Sequence, residues 1–141
     1  MDRKPTLVRE IMSREVITLY PEDNLDKIEE GMKRFRFRHL PVIDDGKLVG
    51  LVTHRDLLRV AASSMEPNSA AKTKKINDTL FVQDMMQRDV VTAREDMPIL
   101  DAGRLMWEQK LGCLPVTADD GKLLGIVTEA DFVKLALELL G

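Results

Sequence analysis

Cysteine and histidine are nearly missing from these 141 residues, which hold one cysteine, Cys113, and two histidines, His39 and His54. A lone cysteine excludes an internal disulfide, and one thiol with two imidazoles is a poor zinc ligand set, so no metal is expected. No apolar run approaches the roughly 20 residues that span a bilayer. The opening Met1-Asp2-Arg3-Lys4-Pro5 leads into Leu7, Val8 and Glu10 without a continuous apolar segment, so no signal peptide is expected and the chain reads as cytoplasmic. Neither sign of charge dominates: 21 Lys and Arg stand against 24 Asp and Glu, for a net charge of -3. That balance offers no chain-wide field for nucleic acid or an anionic membrane, and any anion site must be local. A Walker-type phosphate loop, a dinucleotide-binding glycine fingerprint and a duplicated metal-ligand spacing are also lacking.

What the chain does hold is one stretch written twice. Asp44-Asp45-Gly46-Lys47-Leu48-Val49-Gly50-Leu51-Val52-Thr53-His54-Arg55-Asp56 returns as Asp119-Asp120-Gly121-Lys122-Leu123-Leu124-Gly125-Ile126-Val127-Thr128-Glu129-Ala130-Asp131. Each copy follows a short apolar run, Leu40-Pro41-Val42-Ile43 or Leu114-Pro115-Val116-Thr117, so each predicts an antiparallel hairpin closed by an acidic-Gly turn. A helix begins at once, at His54 or Glu129. The threonine before it is placed to cap it, and the aspartate falls in its first turn. Backbone N–H groups, a hydroxyl and a carboxylate therefore meet at one point in each copy.

The repeat extends upstream. Val8, Met12, Arg14, Val16 and Thr18 recur as Val82, Met86, Arg88, Val90 and Thr92, a shift of about 74 that becomes about 75 after one inserted residue near Asp119. Each half is expected to open with a short amphipathic helix, Thr6 to Met12 or Thr79 to Met86, then a brief strand, Val16-Ile17-Thr18 or Val90-Val91-Thr92. A longer helix follows, capped by Asn24 and faced by Leu25, Ile28, Met32 and Phe35 in the first half, and faced by Ile99, Ala102, Leu105 and Met106 in the second. After the hairpin come helices from His54 to about Ser63 and from Glu129 to about Leu140. The order is β-α-β-β-α twice, an α/β (α+β) chain divided into residues 1–64, a connection at 65–78, and residues 79–141.

On these residues the chain resembles a tandem pair of CBS domains, the small motifs named after cystathionine β-synthase, arranged as a Bateman module. The specific element is Gly-apolar-apolar-Thr-x-x-Asp, intact at Gly50 to Asp56 and at Gly125 to Asp131 and preceded by His39-Leu40-Pro41-Val42 or Cys113-Leu114-Pro115-Val116. The resemblance implies two motifs packed about a pseudo-twofold axis with two clefts between them, and a dimer of such modules. It implies binding of adenosine-containing ligands (AMP, ADP, ATP, NAD or S-adenosylmethionine) and regulation of a partner protein. The nucleotide would be a regulatory ligand, with no cofactor required. The aspartate can accept both ribose hydroxyls, while the threonine hydroxyl and the helix N-terminus favour a phosphate. The bland alternative is that Thr53 and Thr128 are helix caps and Asp56 and Asp131 first-turn acids.

In the first site a turn at Asp45-Gly46 is expected to set Leu40 near Leu51 and Arg38 opposite Thr53, so that Arg38 and His39 lie beside the helix start, with Arg34, Arg36, His54 and Arg55 adding basic character. Related modules hold phosphate with a basic or histidine pair at this strand start. The same register places Gly112 and Cys113 beside Thr128, with Glu129 next, so the first site is expected to be the stronger phosphate binder. The base is expected to rest near Val91, Thr92 and Leu114 in the first site and near Ile17, Thr18 and Leu40 in the second. Cys113 has no acid-base neighbour in sequence, so no turnover is expected. A structural module with empty clefts is the other class to separate. Helix faces with Met32 and Phe35, or Met106 and Trp107, predict a homodimer.

Overall fold

The computed structural model describes residues 4–35, 38–63 and 80–141. In chain order a single 3-10 turn, Val8–Glu10, is followed by α1 (Leu25–Phe35), β1 (His39–Asp44), β2 (Lys47–Thr53), α2 (His54–Ser63), α3 (Val82–Met85), α4 (Ile99–Gln109), β3 (Cys113–Thr117), β4 (Leu123–Thr128) and α5 (Glu129–Leu140). The class is α+β, with β1–β2 and β3–β4 as two small antiparallel sheets. Among the described residues no helix is long and apolar enough to cross a membrane.

Local chemistry accounts for most of these boundaries. Asn24 Oδ1 accepts the N–H of Lys27 at 3.2 Å and so caps α1. Leu25, Ile28 and Met32, spaced three and four apart, are buried along one face. In α4 the equivalent stripe is Ile99, Ala102 and Met106, and the helix stops where Lys110 turns left-handed at φ 56°. The first hairpin closes on Asp45 and Gly46 at φ 54° and 78°, the pair of positive angles that a two-residue turn between right-twisted strands requires. The second is one residue longer: Gly121 N donates to Ala118 O at 3.0 Å, and Ala118 N donates to Lys122 O at 2.9 Å. Gly121 takes φ 90° there, which accounts for the repeat offset growing by one.

Two expectations change. The strands expected at Val16–Thr18 and Val90–Thr92 do not form; each sheet gains one bridging residue instead, Leu19 beside Val42 and Ala93 beside Val116, both parallel. Leu19 N donates to Pro41 O and Ile43 N to Leu19 O, both at 2.9 Å. Tyr20 N then turns to Asp23 Oδ2 at 2.7 Å ahead of Pro21, and the ladder ends. The opening helices also shrink, to Val8–Glu10 and Val82–Met85. Their starts are held by carboxylates: Glu10 Oε2 accepts from Thr6 N and Leu7 N at 2.8 Å, and Asp84 Oδ2 from Phe81 N at 3.1 Å.

The segments that share a core cross between the repeats. One compact unit combines Met1–Val16 with Val91–Gly141, and the other is Ile17–Val90. Each repeat therefore contributes its opening segment to the unit built mainly from the other repeat. Val8 and Met12 are buried with Ala93, Ala102, Met106, Leu114, Val116 and Val127. Val82 and Met86 are buried with Leu19, Ile28, Met32, Leu40, Val42 and Val52. The reason is backbone pairing. Ser13 exchanges two 2.9 Å hydrogen bonds with Ile126, and Gln87 exchanges bonds of 2.8 and 2.9 Å with Leu51, so each opening segment adds an edge to a hairpin of the other repeat. The connection expected at 65–78 lies outside the described residues.

Candidate functional site

Each hairpin delivers its second strand directly into a helix, and the junction is where polar groups converge. At the first, Thr53 N donates to Asp56 Oδ2 at 2.8 Å, Thr53 Oγ1 donates to the same oxygen at 3.0 Å, and Asp56 N donates back to Thr53 Oγ1 at 3.3 Å. This is a reciprocal capping box with aspartate in the role usually taken by glutamate. At the second, Thr128 N donates to Asp131 Oδ2 at 2.8 Å and Thr128 Oγ1 lies at 3.4 Å. Both aspartates therefore do cap their helices, and in each it is Oδ2 that does so. Oδ1 is left over.

The two junctions differ in what reaches the carboxylate. Asp56 is only 2% exposed. Gln87 Nε2 lies 3.2 Å from its Oδ2 and 3.4 Å from its Oδ1, and Arg59 Nη2 lies 3.6 Å from Oδ1. Asp131 is half-buried, and among the described residues only Thr128 engages it. The first amide of each helix is also engaged, His54 N with Arg38 O at 2.8 Å and Glu129 N with Gly112 O at 3.2 Å.

The strand register corrects one expectation. His39, not Arg38, stands opposite Thr53, and Leu40 pairs with Val52. A bulge between Val42 and Ile43 puts an extra residue, Val49, on β2 and moves the pairing by one. Arg38 lies just beyond the ladder with its side chain exposed, as are His54 and Arg55. The side chains of Arg34 and Arg36 lie outside the described residues. In the second hairpin Cys113 stands opposite Thr128, with Gly112 joined to the helix start by its carbonyl. Burial, and after it the neighbouring Glu129, push the Cys113 thiol up to about 12. Protonated at neutral pH, it is no nucleophile.

Residues 8–63 and 82–138 each match the CBS domain family. The chain belongs to that family. The double match makes it a tandem CBS pair, and solved CBS structures share its fold. CBSX2 from Arabidopsis thaliana, crystallised in complex with AMP, superposes with a TM-score of 0.81 at 31% identity over 97% of this chain and 100% of that one. The CBS domain pair of protein MJ0100, crystallised with 5'-methylthioadenosine and S-adenosyl-L-methionine, gives a TM-score of 0.79 at 27% identity over 96% of this chain and 99% of that one. The inosine-5'-monophosphate dehydrogenase of Methanocaldococcus jannaschii is 35% identical over 126 residues, 89% of this chain. The chain spans only 22% of that enzyme's length.

In this CBS pair the residues expected to receive a base divide into two kinds. Leu40 and Leu114 are completely buried in the cores of their own units; both sit at strand positions whose side chains face inward, so neither offers a free surface. Ile17, Thr18, Val91 and Thr92 are partly exposed, Ile17 and Val91 resting on the edges of those cores. One residue, Gln87, lies outside the motif, and for its two glycines the motif gives no reason. Gln87 reaches Asp56 across a sequence separation of 31, and Gly50 and Gly125 are required because the opening segments cross directly over them. A β-carbon at Gly50 would collide with Met86 and stand 3.0 Å from Gln87 O.

Proposed function

We propose that this CBS pair is a sensor of adenosine-containing nucleotides, of the AMP, ADP and ATP class, that binds at the two threonine–aspartate helix starts and reports occupancy to a partner protein. The observation that carries the reading is the division of labour within each carboxylate: Oδ2 holds the cap, and at Asp131 Oδ1 has no protein donor among the described residues. A carboxylate oxygen beside a helix N-terminus accepts ribose hydroxyls, while the helix dipole favours a phosphate nearby. CBSX2 with AMP and the MJ0100 pair with S-adenosyl-L-methionine support the ligand class.

Phosphate contacts would differ between the sites. Arg38 and Arg55, close in the chain to Thr53, supply cationic donors at the first, with His39 opposite Thr53 and His54 beside it as imidazole partners. Cys113 and Glu129 surround Thr128 at the second, which suits an adenosyl ligand without a phosphate cluster, such as S-adenosylmethionine. The proposed role is binding without turnover, and hydrolysis of a nucleotide that is lost in Asp56→Ala would contradict it.

The module is further proposed to act as a homodimer. Trp107 is 85% exposed and α5 carries no buried residue, leaving Val133, Leu137, Leu139 and Leu140 uncovered. Met32 and Met106, expected at that face, are instead in the cores. A thermal-shift screen against AMP, ADP, ATP, NAD and S-adenosylmethionine tests the ligand class. A ligand at 100 times its Kd stabilises the folded state by about 2.7 kcal/mol and raises the melting temperature. No shift with any of them would leave dimerisation as the function.

A further inference from the structure

The two opening segments pair with the hairpins in the same way, yet they present different side chains. Gln87 and Ser13 occupy equivalent places in the repeat and equivalent places in space, each locked by a reciprocal pair of backbone hydrogen bonds, Gln87 to Leu51 and Ser13 to Ile126. From that place the Gln87 amide reaches both oxygens of Asp56, at 3.2 and 3.4 Å. The shorter Ser13 hydroxyl donates instead to Glu15 O at 3.4 Å, and Asp131 receives nothing from it.

We propose that Gln87 determines which helix start takes ligand, by occupying the carboxylate of Asp56 with an internal donor while Ser13 leaves that of Asp131 open. This rests on the adenosine-binding reading above. The chemistry is direct competition. A ribose diol offers two O–H donors to a carboxylate, and the primary amide of Gln87 offers N–H donors to the same lone pairs. The backbone that presents the amide is already ordered, pinned to Leu51 with Met86 buried over Gly50, so only side-chain rotamers are ordered in making the contact. Arg59, 3.6 Å from Oδ1 and largely exposed, is a weaker second competitor.

Ligand at the first site must therefore displace the amide, and its apparent affinity falls by the fraction of molecules in which Asp56 is free. The cations beside Thr53 attract phosphate to a site whose ribose acceptor is already engaged. At the second site the acceptor is open among the described residues, and Gly112, Glu129 and Ala130 stand where the first has Arg38, His54 and Arg55. Ranking the sites on charge alone reverses: in the native chain Asp131 is the first to bind an adenosine moiety.

Titration calorimetry with AMP in an Asp131→Asn background isolates the first site. There Gln87→Ser, which copies Ser13, is expected to tighten AMP binding by roughly tenfold, and Asp56→Asn is expected to remove it. The converse change, Ser13→Gln in the native chain, is expected to weaken the second site. Because the Gln87 and Ser13 side chains are exposed, Gln87→Ser and Ser13→Gln test binding and not folding, and the melting temperature of Asp56→Asn reports its fold separately. Binding that depends on Asp56 but is unchanged or weakened by Gln87→Ser overturns the inference alone, marking Gln87 as a bystander or a ligand contact. Absence of AMP binding in the native chain and in every variant overturns both the inference and the reading it rests on.

Discussion

Gly125 lies against the backbone of Ser13: a β-carbon on it would stand 2.5 Å from Ser13 O, the atom that accepts the N–H of Ile126. The glycine of the repeated motif is thus a seat for the crossing segment. Gly125→Ala is expected to cost about 3 kcal/mol, combining overpacking with loss of the reciprocal Ser13–Ile126 bonds. Gly46→Ala, where only the positive φ of 78° resists a side chain and nothing lies within 4 Å, should cost about 1 to 2 kcal/mol. Urea unfolding of the two variants checks the order; equal losses would contradict the close packing.

The exchange of opening segments gives a crossed pattern. Val8 is fully buried with Leu114 and Val127, whereas Val82 is fully buried with Leu40 and Val52. Truncating either to alanine should cost about 2 kcal/mol. Hydrogen exchange should then quicken in 99–128 for Val8→Ala and in 25–53 for Val82→Ala. Faster exchange of each variant's own repeat instead would contradict the pairing.

How much of this could be read from the sequence follows from the range of each signal. The Asp45-Gly46 turn, the Asn24 cap and the helix starts at His54 and Glu129 are written within a few residues, and the structure has them where expected. Val8 and Val82 carry the same pattern, so periodicity could not say which core each enters. The bulge at Val49 has no composition signal of its own, so an unbulged register sets Arg38, one position too near, opposite Thr53. Gln87 and Asp56 are linked only in three dimensions, though the mismatch of Gln87 with Ser13 at the repeat offset was there to be noticed.

Cys113 should show its burial in alkali. Its thiol ionises near 9.0 when free and at about 12 when folded, so the folded state binds the extra proton between those values. Its contribution to stability is complete below pH 9 and is lost as pH rises toward 12, with a slope of up to about 1.4 kcal/mol per pH unit. Cys113→Ala should flatten that fall, and the native thiol should resist disulfide reagents at pH 8. Labelling as fast as a free thiol would contradict the buried placement.

The apolar face of α4 and α5 should be an interface. An open groove of about 660 Å³ there is lined by Pro98, Ile99, Trp107, Phe132 and Leu139 among others, and Leu137 beside it is 68% exposed. Light scattering at micromolar concentration should give about twice the 16.0 kDa chain mass, falling to one chain in Leu137→Glu. A native mass of one chain would contradict the dimer.

The claim that an adenosine ligand binds through the two helix-start carboxylates is tested most directly by AMP titration calorimetry on Asp56→Asn, Asp131→Asn and the double variant. Asparagine keeps an oxygen to accept the N–H of Thr53 or Thr128, so the caps survive while the charge that strengthens the bonds to ribose is removed. Asp131→Asn is expected to weaken the tightest binding event by roughly tenfold or more and the double variant to lose measurable binding, each charge-assisted hydrogen bond being worth about 1.5 to 3 kcal/mol. Native affinity in a folded double variant would contradict it.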